Sequence, residues 1–159
     1  MRGLMLLTFF GLLGAVGGVT AGDKAKDREK DPAKKELDAF QGAWTSAELV
    51  YNGKDFLADG KAPLRFVFKG NEATIEASEA VKKEYAKIKI KLDPSTMPKC
   101  VDITVSAGGQ INAVIEGIYE LKKDEIRICA KVLGKERPNE FASPDGSSIV
   151  LLVLKRPAP

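Results

Sequence analysis

The chain is predicted to be all-β, an eight-stranded antiparallel up-and-down barrel, and three observations predict it. Apolar residues recur with period two from Ala43 onward, the segments that carry this period number eight, and most links between them are short and turn-forming. The eight segments are 43–51, 64–69, 72–77, 85–92, 100–105, 113–122, 125–132 and 148–155. A meander of sequential hairpins is the simplest way to join them.

The fourth segment shows the phase most clearly, with Lys87, Lys89 and Lys91 on one face and Ile88, Ile90 and Leu92 on the other. One face is therefore wet and the other buried. The same phase points Leu64, Phe66 and Phe68 inward, with Val101, Ile103 and Val105, then Ile115, Tyr119 and Leu121, and finally Ile126, Ile128 and Val132. Gly70-Asn71 and Lys123-Asp124 suit tight hairpins, whereas Asp93-Pro94 and Met97-Pro98 break the chain between the fourth and fifth strands. Eight strands with one apolar face each can hide both sheet edges by closing on themselves. A β-sandwich is the alternative that the same spacing permits.

The last strand departs from alternation, because residues 149–154 are apolar on both faces. Such a strand needs an outer cover, and the segment 37–40 is the expected one.

Ahead of the barrel lie two other units. Residues 1–21 read as a cleavable signal peptide: Arg2, an apolar run from Leu4 to Val16, then small residues ending in Val19-x-Ala21, with cleavage after Ala21. The run is shorter than the roughly 20 residues of a spanning helix and is loosened by glycines at 11 and 14 within it and 17 and 18 after it, so no membrane span is expected to survive processing. A secreted or periplasmic address follows. Residues 22–36 are highly charged, with no aromatic or branched apolar side chain, and read as a disordered tether. The barrel domain takes 37–159, and a mature chain of this size buries about two-thirds of its unfolded surface.

The formal charge is +3, and removal of Arg2 with the leader leaves +2, spread over interleaved Lys, Glu and Asp. No clustered basic surface points to nucleic acid. The chain has no histidine, which excludes Ser-His-Asp and Cys-His nucleophile systems and His-based zinc sites. Glu116 and Glu120 form the nearest thing to a carboxylate pair, but both fall on an outward face beside lysines and read as solvated charge. No catalytic residue, metal site or cofactor is expected.

Cys100 and Cys129 are the redox question in an exported protein. In a meander one strand separates theirs, which puts the two backbones about 9.5 Å apart, beyond the ~7 Å that a disulfide spans. Two free thiols are expected, and a sandwich would allow a bridge.

Phe40-Gln41-Gly42-Ala43-Trp44 resembles the Gly-x-Trp start of lipocalins and fatty-acid-binding proteins. The resemblance implies a barrel in which Arg156, after the last strand, packs across Trp44 as a clamp at the closed end. The wider pattern is similar to an uncharacterised lipocalin-like domain family of secreted planctomycete proteins. It is carried by Gln41-Gly42-x-Trp44, Phe66-x-Phe68-x-Gly70, Leu92-Asp93-Pro94-x-x-x-Pro98-Lys99, Gly117-Ile118-Tyr119-Glu120-Leu121, Gly134-Lys135-x-Arg137-Pro138-x-x-Phe141 and Leu152-x-Leu154-x-Arg156. That family implies a fold and an address, and no reaction.

Two functional expectations follow. Phe66, Phe68, Ile90, Ile103, Tyr119 and Ile128 either fill the barrel or line an apolar calyx for one small ligand, since eight strands sit near the size that separates the two outcomes. The long connection 133–147 either carries Arg137 and Phe141 to the mouth as ligand contacts, or has a structural role in which Phe141 plugs one end and Arg137 pairs with a carboxylate. The leading expectation is a non-catalytic domain that binds a small apolar ligand. The second is an interaction module whose Lys87, Lys89 and Lys91 stripe contacts an acidic cell-envelope component.

Overall fold

Period-two alternation becomes one continuous sheet that meets itself. The computed structural model describes residues 31–58, 60–76, 87–107 and 110–157; the expected signal peptide and residues 22–30 lie outside them. Among the described residues one helix, α1 (Pro32–Phe40), precedes nine strands: β1 (Gly42–Tyr51), β2 (Lys54–Asp55), β3 (Arg65–Lys69), β4 (Glu72–Glu76), β5 (Lys87–Asp93), β6 (Lys99–Ala107), β7 (Gln110–Lys122), β8 (Glu125–Lys131) and β9 (Ile149–Lys155). Neighbours follow chain order from β3 to β9, every pair is antiparallel, and β9 pairs back onto β1. The eight strands β1 and β3–β9 therefore form a closed up-and-down barrel, with β2 added on β1.

The short β2 is the element that alternation did not reveal, and a bulge creates its place. In the β1–β9 ladder the register shifts between Ser46 and Glu48, and an extra residue of this kind bends and twists its strand. Below the bulge β1 pairs with β3 through Thr45; above it the same edge takes β2, with Phe56 N–H donating to the Leu49 carbonyl at 2.8 Å. Ser46 is buried at the fork, where its hydroxyl accepts the Leu64 N–H at 2.8 Å.

Helix α1 overturns the expected boundary at Leu37, because it takes Pro32 to Glu36 out of the presumed tether. Asp31 caps it by accepting the Ala33 N–H at 3.0 Å, Pro32 sits where a missing N–H costs nothing, and Ala, Lys and Glu favour the turns that follow. It closes one end of the barrel instead of covering β9: Phe40 is fully buried and packs edge-on against Phe68 and Tyr119, with ring centroids 5.5 and 5.7 Å away. The C-cap Gln41 fastens the helix to the β3–β4 hairpin by donating to the Gly70 carbonyl and accepting its N–H.

Trp44 is the centre of this floor. Its side chain is fully buried, its indole N–H donates to the Phe40 carbonyl at 2.7 Å, and the Arg156 guanidinium lies 4.1 Å from its ring. Arg156 also donates to the Ala39 and Gln41 carbonyls at 2.9 and 3.2 Å, placing a cation at the helix C-terminus. Gly42 precedes Trp44 with φ of +99°, and a Cβ there would stand 3.6 Å from the Arg156 guanidinium. A side chain would meet both backbone strain and the clamp.

The outer cover of β9 comes from the 133–148 connection. Ile118, Cys129 and Leu151 form a second buried cluster outside the wall, with Val50, Ile149 and Phe141 packed on it. Replacing Arg156 with Ala removes a cation–π contact and two charged hydrogen bonds, so urea unfolding of R156A is expected to show a loss of about 2–3 kcal/mol. R156K restores less than half, because an ammonium cannot stack on the ring and span both carbonyls at once.

Candidate ligand cavity

With α1, Phe40, Trp44, Leu92, Val101, Tyr119, Ile126 and Leu154 filling the floor, the remaining inward side chains are left to line the other half of the barrel. They line a half-open cavity of about 430 Å³. Its wall includes Leu49, Phe66, Phe68, Ile75, Ile88, Ile90, Ile103, Val105, Ile115, Ile128, Val132, Val150 and Leu152. Among the described residues Tyr51 is the one lining residue with a polar side-chain atom, and it sits at the end of β1 farthest from α1, beside Phe56. Leu64 and Ala73 complete the lining.

The predicted site residues divide into three places. Phe66, Phe68, Ile90, Ile103 and Ile128 come together on the cavity wall. Tyr119 is not on it: at 1% exposure it belongs to the floor, where its hydroxyl donates to Glu36 at 2.5 Å. Arg137 and Phe141 are not at the mouth or in either end of the barrel, but on the outside of the wall.

Glu36 is the residue that sequence reading missed. It reaches the floor from α1 and also accepts from Lys99, so one carboxylate holds a tyrosine of β7 and a lysine of β6. Burial, first, and then the hydrogen bond and charge of Glu36 push the Tyr119 hydroxyl far above its ordinary pKa. The signal was present: Asp31-Pro32 is a helix start, and Glu36 lies one turn before Phe40 on the same face.

Arg137 is a latch. It donates to the Val101 and Gly117 carbonyls at 3.0 and 2.5 Å and to Asp102 at 2.7 Å, with Glu116 at 3.6 Å. Gly117 leaves room for the strands to approach, since a Cβ would fall 2.7 Å from the Cys129 carbonyl oxygen. Farther along the loop, Arg127 lies 4.9 Å from the Phe141 ring, and the Cys129 thiol contacts the Ala142 carbonyl at 3.4 Å. Burial pushes the pKa of that thiol up. Cys100 and Cys129 are free, and the ladder puts Ile118 between them. Glu116 and Glu120 stand near Arg137 and Arg127 respectively, as members of outer ion pairs.

The chain matches no protein-family model, no curated protein and no solved structure.

Two outcomes check this geometry. Tyr119→Phe should cost about 1–3 kcal/mol in urea unfolding. Because the folded-state pKa of Tyr119 is raised, its contribution is complete below about pH 10 and declines as pH rises, the unfolded tyrosine then losing a proton that the folded one keeps. The stability gap between wild type and Y119F should therefore be flat to about pH 9 and narrow above pH 10. Arg137→Ala should release the outer loop, raising the rate of Cys129 alkylation by iodoacetamide about tenfold or more relative to Cys100, as read by mass spectrometry.

Proposed function

We propose that the protein is a non-catalytic binding protein, exported to the periplasm or beyond, that holds one small apolar molecule inside its barrel. The observation that carries the reading is the cavity: about 430 Å³ bounded, among the described residues, by aliphatic and aromatic side chains with a single hydroxyl at one end. Ligand sites commonly measure about 300–1,000 Å³ and are mostly apolar with few polar groups. Water against these described walls finds almost no polar partner on the protein. An apolar guest instead gains about 0.8 kcal/mol for each methylene it buries. The signal-like residues 1–21 and the similarity to secreted lipocalin-like domains support the address.

A second reading makes the barrel an interaction module that meets an acidic envelope polymer. Lys87, Lys89 and Lys91 are all exposed on the outer face of β5, as that reading needs, but Lys89 already lies 3.5 Å from Glu72. The cavity is the more specific feature.

Fluorescence titration with phenylnaphthylamine, a neutral probe that brightens in apolar surroundings, tests the binding reading. The full-length protein should bind one equivalent. Ile115→Trp, which projects an indole into the cavity, should weaken binding at least tenfold while leaving the circular dichroism spectrum and the urea midpoint near those of wild type. Absence of probe binding to the wild type, or unchanged binding to I115W, counts against it.

A further inference from the structure

The cavity has a direction. Its floor is sealed by Trp44, Phe40 and the Glu36–Tyr119 contact, so no polar group of a guest can reach water there. At the opposite end the wall changes character: Tyr51 brings a hydroxyl, and Phe56, which follows β2, is 37% exposed with its ring centroid 6.5 Å from that of Tyr51. Phe56 thus has one face toward the cavity and part of its surface toward solvent.

A cation stands on this ring. Lys61 Nζ lies 5.0 Å from the Phe56 centroid. Among the described residues no carboxylate pairs with Lys61; Asp55, beside Phe56, is turned into its own loop, where Oδ1 accepts the Leu57 and Ala58 N–H groups at 2.8 and 3.3 Å. A side chain between an ammonium and an apolar cavity, just after a two-residue strand inserted beside the bulge, is where the head of an amphiphile would emerge. Buried charge is costly without a partner, and the described residues of the interior supply none, so a charged head must stay at this rim.

We propose that the ligand is an anionic amphiphile that enters tail first, with its apolar body in the cavity and its negative head group paired with Lys61 beside Tyr51 and Phe56. This rests on the binding reading above and adds to it the charge and orientation of the guest. A neutral hydrocarbon or a cationic amphiphile would gain nothing from Lys61.

Two probes that differ only by a sulfonate separate the possibilities: anilinonaphthalene sulfonate and neutral phenylnaphthylamine, each titrated into the full-length protein. The anionic probe should displace the neutral one and bind about fivefold more tightly at low salt, with the advantage lost in 0.5 M sodium chloride at a screening length of roughly 4 Å. Lys61→Glu should weaken the anionic probe about tenfold or more and leave the neutral probe within about twofold; Lys61→Gln, a milder change at an exposed position, should abolish the fivefold preference. Neutral-probe binding with no preference for the anion, failure of the anion to displace it, or equal weakening of both probes by either substitution overturns the proposal and leaves the binding reading in place. If neither probe binds wild type, both fall.

Discussion

The pairing of β1 with β9 is the constraint on which the rest depends. It joins the first and last strands of the barrel, closes the meander, and brings Arg156 over Trp44. Each partner then serves a second element: Arg156 holds the terminal carbonyls of α1, and Trp44 takes the Phe40 carbonyl. Closure of the wall and closure of the floor are thus one event. A sandwich with the same strands would leave Arg156 and Trp44 without that common point.

From the sealed floor follows the uneven interior. Bulky residues near α1 interlock, and those farther away face one another across the cavity. A void in a core normally costs stability in proportion to its size. Here a second cluster outside the wall, under the latched 133–148 connection, adds burial that a one-sided barrel would lack. It also accounts for β9, which is apolar on both faces because it has a core on each side.

Much of the fold was legible in strand phase. Lys87, Lys89 and Lys91 alternate with Ile88, Ile90 and Leu92 as a half-buried strand requires, and the observed burial of β5 follows that alternation throughout. The floor was less legible, since Glu36 lies in a stretch whose composition resembles a solvated linker. Composition averages over a window, whereas the cap at Asp31 and the one-turn spacing from Glu36 to Phe40 are positional signals. The bulge that makes room for β2 left no period to read, because an inserted residue breaks alternation.

The sequence by itself determined which side chains face inward and where hairpins turn, because these depend on local geometry and on a period of two; that Arg156 packs across Trp44 was implied by the resemblance of Gly42-x-Trp44 to a known barrel start. It could not decide which inward residues would touch. Phe66 and Ile103 on the cavity wall and Tyr119 in the floor share a chemical character and a phase; only strand register and the seat of α1 separate them. The same holds for Arg137 and Phe141, whose loop had two faces of the barrel available to it. Asp102, Glu116 and the Val101 and Gly117 carbonyls drew it to the outer wall, and those partners are contiguous only once β6 and β7 have paired.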